Sequence, residues 1–207
     1  MERLEFVRQF PVKLFSKGET VLYEGQPLTA IFAVVSGFIK VTSLSESGHE
    51  RILWIAGPTN MVPVEQLFST DGSVRFFYTA LTDCVAYKIN KKMFLEYIKK
   101  SLISMTEAAT RMSGHYDDLL IRIDSVGHVN VRNKLIYTLI YLAKRFGSGD
   151  IVDICTLGLR LTHQDIAQII GSTRETTSIE LRKLHLLGCI AYDRDKFVIN
   201  VTKLEEL

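Results

Sequence analysis

Cysteine is scarce in this chain of 207 residues: Cys84, Cys155 and Cys189 stand far apart, and none belongs to a C-x-x-C pair. That argues against a disulfide framework and against a cysteine-rich metal or iron–sulfur site. A reducing cytoplasm is the simplest compartment. No apolar run approaches the roughly 18 residues that a membrane span requires, and the opening MERLEFVRQF has no signal-peptide core. Charge of one sign is also missing. Lys and Arg number 25 against 23 Asp and Glu, for a net +2, so any nucleic-acid partner must be met by a local positive patch. There is no G-x-S-x-G, P-loop, Rossmann fingerprint or HExxH, and the five histidines are dispersed. An enzyme is not expected, nor a cofactor or a bound metal. What is present is ample apolar material, 47% of residues, enough for one large domain or two small ones without staples.

Proline is rare too, with four in all, and glycine marks most of the punctuation. Through residues 1–90, short apolar runs (TVLYEG, AIFAVVSGFIKVTSL, ERILWIAG, RFFYTALTDCVAYKI) alternate with turn signals such as Lys17-Gly18, Ser36-Gly37, Ser47-Gly48 and Asp71-Gly72. This pattern predicts an antiparallel β sandwich or barrel. From residue 91 the period changes. Leu95, Ile98, Leu102, Met105, Ala109, Met112, Tyr116, Leu119, Ile123 and Val126 are spaced alternately by three and four. That is an a/d seam over about 32 residues, or roughly 48 Å of helix, expected to run to residue 127. Its first turns are expected to lie on the β-domain. The rest (Leu102, Met105, Ala109, Met112, Tyr116, Leu119, Ile123, Val126) is expected to pair with a second copy as a parallel dimer helix. A further helix, VRNKLIYTLIYLAKRF, follows with Lys144 and Arg145 in its last turn, where the dipole favours cations. Residues 147–150 read as a turn. The three parts are therefore expected at 1–90, 91–127 and 128–207.

The last part holds the most specific stretch, LTHQDIAQIIGSTRETTSIELRKLHLLGCI. Thr162 and Asp165 make a capping-box-like start. Ile166, Ala167, Ile169 and Ile170 form a buried side, and Gly171 permits a tight turn. Ser172 is the expected N-cap of a second helix buried through Leu181 and Leu184 and ended by Gly188. A hairpin about Asp193-Arg194-Asp195 completes a winged helix-turn-helix. The N-terminal turn of such a second helix reaches base edges in the major groove. Arg174 can donate two hydrogen bonds to guanine, Glu175 can accept from cytosine, and Ser178 can reach a base edge or a phosphate. Thr162, His163, Gln164, Ser172, Thr173 and Arg182 suit phosphate contacts.

The run over residues 161–181, with its L-T, I-A, I-I-G and R-E-T, resembles the helix-turn-helix signature of the CRP/FNR superfamily of transcription regulators. The β-domain resembles that family's jelly-roll sensor through Gly18, Gly25, the Ile31-Phe32 to Gly37 hairpin and the stretch from Ala80 to Ile89, and the heptad helix stands where the family has its dimer helix. The resemblance implies an α+β chain: a β jelly roll, a long dimerisation helix and a C-terminal winged helix-turn-helix. It further implies a homodimer on pseudo-palindromic double-stranded DNA, with RNA polymerase as a candidate protein partner and no membrane. The chain departs at Ile179, where the family usually places an arginine. Ile179 either contacts a thymine methyl, changing the half-site at that step, or packs inward.

The resemblance also implies an effector site, and here the chain departs again. Cyclic-nucleotide-binding members carry Gly-Glu-Leu and then Arg-Ser. Here Pro63, Glu65 and Arg75 replace or displace those positions, and Leu119 and Leu120 stand where polar groups meet the base. In a strand, a one-residue displacement would turn a side chain to the opposite face. An effector other than cyclic AMP is expected, such as an acidic molecule held by Arg75 with Glu65 and walled by Tyr116, Leu119 and Leu120, or no effector. The alternatives left open are a cyclic-nucleotide-responsive regulator and a ligand-binding module that does not act on DNA. His49, His115 and His128 are isolated, so a haem ligand is not expected.

Overall fold

The computed structural model describes residues 2–46, 48–149, 153–193 and 196–207. The chain divides into two compact units, residues 1–117 and 118–207. The first opens with α1 (Glu2–Val7), then β1 (Val12–Phe15), β2 (Thr20–Leu22), β3 (Ala30–Ser36), β4 (Ile39–Leu44), β5 (Glu50–Ala56), β6 (Met61–Val62), a 3₁₀ turn at Val64–Gln66, β7 (Phe77–Ala80) and β8 (Cys84–Asn90). The strands form two antiparallel four-stranded sheets, ordered β1-β8-β3-β6 and β2-β7-β4-β5. This is the antiparallel sandwich predicted from the apolar runs. The runs at 20–25, 30–44, 50–57 and 75–89 all contain strands, whereas β1 and the two-residue β6 carried no signal of their own.

Alternation along β3 explains the layering. Phe32 and Val34 point into a core shared by both sheets, with Ile39, Val41, Trp54, Tyr78 and Ala86. Ile31 points the other way, into a second cluster with Val7, Met61, Ile89, Phe94 and Ile98. That second cluster is roofed by α1 and by α2 (Lys91–Lys99), where Phe6 stacks on Tyr97 at 4.1 Å. The Asn90 side chain accepts from the Lys92 and Met93 amides and so caps α2.

The expected unbroken seam helix is two helices. α2 ends at Lys99, with the Lys100 amide bonded to the Tyr97 carbonyl, and α3 (Leu102–Gly127) starts afresh. Ser101 initiates α3: its hydroxyl accepts from the Ser104 amide at 3.5 Å and its carbonyl from the Met105 amide at 3.0 Å. The spacing rule cannot see this break because the apolar phase happens to continue across it. The surroundings do not continue: Ile98 is buried in the β-unit, as expected of the first turns, whereas Leu102 is 83% exposed. α3 has 26 residues, so it spans about 39 Å.

The remainder comprises α4 (Val131–Phe146), β9 (Gly147–Gly149), β10 (Ile154–Leu157), α5 (His163–Ile170), α6 (Arg174–Leu186), β11 (Ile190–Tyr192), β12 (Phe197–Asn200) and α7 (Val201–Glu205). Residues 147–149, read as a turn, form an edge strand paired with β10. Glycine-rich GSG carries no strand propensity, and pairing imposed by the neighbouring β10 decides the conformation. Asp150 lies outside the described residues. The sheet order is β11-β12-β10-β9. α4 is capped by Asn130, buries Leu135, Leu139 and Leu142, and packs against α5 and α6. All three cysteines are free and buried.

Candidate nucleic-acid interface

α5 begins with a true capping box. The Asp165 amide donates to the Thr162 hydroxyl at 3.1 Å, and the Asp165 carboxylate accepts from the Thr162 amide at 2.8 Å. The Thr162 hydroxyl also donates to that carboxylate at 2.6 Å, so Thr162 is engaged in the cap rather than held free for a phosphate. Ile166, Ala167, Ile169 and Ile170 are buried as predicted. Gly171 then adopts φ 65°, a left-handed turn that its missing Cβ makes inexpensive.

The cap of α6 is Thr173, not Ser172: the Thr173 hydroxyl accepts from the Thr176 amide at 3.2 Å. Two adjacent cap-forming residues make the sequence ambiguous by one position, and the left-handed Gly171 resolves it in favour of the later residue. Glu175 therefore sits at the second helical position, where its charge complements the dipole without closing a capping box. Thr177, Leu181 and Leu184 anchor the inner face. At the far end the Gly188 amide bonds to the His185 carbonyl and the Cys189 amide to the Leu184 carbonyl, a Schellman closure.

The outer face carries Arg174, Glu175, Ile179 and Arg182, all exposed. Ile179 is 56% exposed, which removes the inward-packing alternative. Ser178 differs from expectation. Its hydroxyl donates to the Arg174 carbonyl at 2.7 Å and lies 2.9 Å from His163 Nδ1. A serine one turn into a helix can satisfy itself on the carbonyl four residues back, and here it does. Ser178 thus braces the helix tip to α5 instead of presenting a free hydroxyl. His163 is held neutral-leaning: burial first, and the Arg174 charge second, lower its pKa from the ordinary 6.5. Its ring meets Tyr192 of β11 edge-on at 5.1 Å, and Tyr192 also stacks on Phe197 at 5.4 Å. This aromatic contact between α5 and the hairpin escaped the sequence reading, although Tyr192 in a three-residue strand was a visible signal. The hairpin turn closes through the Asp193 amide to the Lys196 carbonyl at 3.0 Å, and its tip, Arg194-Asp195, lies outside the described residues. Gln164 is exposed and Ser172 half-buried beside this face.

A Crp-like helix-turn-helix domain model matches residues 133–207, and a cyclic nucleotide-binding domain model matches residues 12–101. The chain belongs to the CRP/FNR superfamily. It is a CRP-like transcription regulator with a helix-turn-helix DNA-binding domain. Among CRP/FNR relatives it is 26% identical over 193 residues to the global nitrogen regulator of Synechococcus elongatus, covering 91% of this chain and 85% of that one. It is 25% identical over 197 residues to a CRP-like cAMP-activated global transcriptional regulator of Mycobacterium tuberculosis, covering 90% and 82%. In fold it resembles FixK2 from Bradyrhizobium japonicum, with a TM-score of 0.82 at 18% identity over 96% of both chains. It also resembles the c-di-GMP responsive regulator CLP of Xanthomonas campestris, with a TM-score of 0.76 at 18% identity over 96% and 97%.

In this CRP/FNR regulator, the candidate effector residues of the β-unit are committed internally. Glu65 lies in the 3₁₀ turn and accepts from the Tyr78 hydroxyl. Burial first, and the Glu65 charge second, push the Tyr78 pKa well up. Arg75 faces solvent and pairs with Asp71 at 3.5 Å. Neither residue lies in a strand, so the face-reversal argument from strand alternation does not apply to them. The Arg75 amide donates to Gln66 Oε1 at 3.2 Å, and Gln66 itself is 2% exposed. On α3, Leu102, Met105, Ala109, Tyr116, Leu120 and Ile123 are exposed, while Met112, Leu119 and Val126 are half-buried. His115 packs on Trp54 at 4.3 Å and His128 stacks on Tyr137 at 4.2 Å, packing roles for two of the isolated histidines.

Proposed function

We propose that the protein acts as a homodimer that reads a pseudo-palindromic duplex through two copies of α6. The observation that carries this is the exposed row Arg174, Glu175, Ile179 and Arg182 on a helix tip whose opposite face is locked by Thr177, Leu181 and Leu184. Arg174 donates to guanine and Glu175 accepts from its paired strand's neighbouring cytosine. Ile179 contacts a thymine methyl and alters the half-site there. His163, Gln164, Ser172 and Arg182 meet phosphates through their side chains, and Thr173, whose hydroxyl is held in the α6 cap, through its backbone amide; these contacts position the helix without specifying sequence. The apolar α3 seam supports a two-fold partner of the same chain. The relatives are regulators, and no catalytic step is assigned.

The effector is something other than cyclic AMP, or there is none. The support is local: Pro63 offers no amide, Gln66 already occupies the Arg75 amide, Arg75 turns to Asp71, and Glu65 turns to Tyr78. The cyclic-AMP and c-di-GMP labels belong to the relatives named above, and they differ from each other. A gel shift on genomic fragments at several salt concentrations tests the DNA reading, since phosphate contacts make affinity fall steeply with salt. Titrating the same complex with cyclic AMP tests the second part. Unchanged affinity is expected, and a tightening in micromolar nucleotide contradicts it.

A further inference from the structure

A charged side chain inside a protein is costly unless it is held by hydrogen bonds. Arg122, on α3, is only 7% exposed. Its Nη2 donates to the Ile169 carbonyl at 2.9 Å, and its guanidinium lies 5.9 Å from the Tyr141 ring centre on α4. Ile169 is the penultimate residue of α5, so its carbonyl belongs to the negative end of that helix, where a cation is favoured. Gly171 and the tip of α6 follow directly. Four residues before Arg122, Asp118 pairs with Arg145 of α4 at 3.1 Å. Three residues after it, Ser125 is buried at 2% exposed. Asp118, Arg122 and Ser125 therefore form one docked stripe of α3. Leu119, Ile123 and Val126, the last three seam positions, each follow a stripe residue by one. One residue thus separates the surface expected to meet the second copy from the side chain that grips the base of the helix-turn-helix.

We propose that Arg122 is a positioning residue that fixes the recognition helix relative to the dimer seam, and so sets the half-site spacing the dimer accepts. The claim rests on the DNA-binding dimer proposed above. A rigid link from seam to α5 places the two α6 tips at one separation and one rotation about the duplex. Inserting or deleting a base pair rotates one half-site by about a tenth of a turn, which a rigidly linked pair resists. Loosening the link relaxes that demand while leaving the base contacts of each tip intact.

The test uses the full-length protein and a duplex of two inverted half-sites taken from the sequence the wild type selects from random DNA, with the spacer lengthened and shortened one base pair at a time. Arg122→Met is the main variant, because exchanging a buried charge for an unbranched apolar chain is often tolerated in folding, and the thioether can neither reach nor donate to the Ile169 carbonyl. Wild type should prefer its best spacer over the adjacent ones by about tenfold or more, within the range of ordinary coupling effects. Arg122→Met should flatten that preference severalfold and keep wild-type base preferences within each half-site. Should Arg122→Met not give a folded dimer, Arg122→Gln carries the same test, its shorter uncharged side chain falling short of the Ile169 carbonyl. A variant that is folded and dimeric with the wild-type spacer profile overturns the inference alone. A wild type that selects no duplex overturns the DNA-binding reading, and the inference with it.

Discussion

Arg174 stands in the first turn of α6, exposed, on a helix fixed by its own Thr173 cap. A bidentate arginine–guanine contact is worth about 1–3 kcal/mol of discrimination. Arg174→Ala is therefore expected to weaken the selected site by roughly 10- to 100-fold while leaving affinity for unrelated duplex nearly unchanged, as fluorescence anisotropy would read. His163 gives a pH prediction. Its folded pKa is lowered below 6.5, so above that value it is neutral in both folded and unfolded chains. As pH falls through 6.5, the unfolded chain takes up a proton that the folded one resists, and stability declines. Urea midpoints should fall on acidification, and His163→Gln should make that fall shallower. Which residues stand outward was legible in the sequence, because the inner positions Leu181 and Leu184 fix the face. What Ser178 does was not, because its χ1 choice between a base and the Arg174 carbonyl leaves no trace in residue type. Arg122 was legible only as a lone charge in the run LLIRI; its partner, a carbonyl 47 residues on, depends on the tertiary fold.

At the scale of elements, the spacing of apolar residues located α3, α4, α5 and α6, and glycine turns located most strands. It failed at Lys100-Ser101, where two helices with different surroundings share one apolar phase, and at β9, where pairing overrides a glycine-rich sequence. The α6 cap has a measurable cost: Thr173→Ala should lower stability by about 1 kcal/mol, read from the denaturation midpoint. The seam has a sharper one. Ile123 is 65% exposed on a protomer by itself, yet it occupies a core position if two α3 helices pair. Ile123→Glu places like charges across that seam. Light scattering should then report monomers, and affinity for a two-half-site duplex should fall by about 100-fold or more, since linked binding of the second half-site is lost.

For the molecule as a whole, a net charge of +2 means that overall charge does not drive duplex binding, so a fall of affinity with salt is expected to come from the phosphate contacts proposed around α5 and α6. The fold class and the DNA-binding class were both readable from sequence, because periodicity changes from two to 3.6 near residue 91 and the helix–glycine–helix pattern is compact. The effector was not. A site that binds a small molecule depends on where a few side chains turn, and Glu65, Gln66 and Arg75 turn to partners within the β-unit. The measurement closest to the central claim is selection of bound sequences from random duplex DNA by the full-length protein. The account predicts enrichment of two inverted half-sites about one helical turn apart, each with a G·C step under Arg174 and Glu175 and a thymine-bearing or relaxed step beside it. Recovery of no preferred sequence, or of a single asymmetric site bound by one protomer, would contradict it.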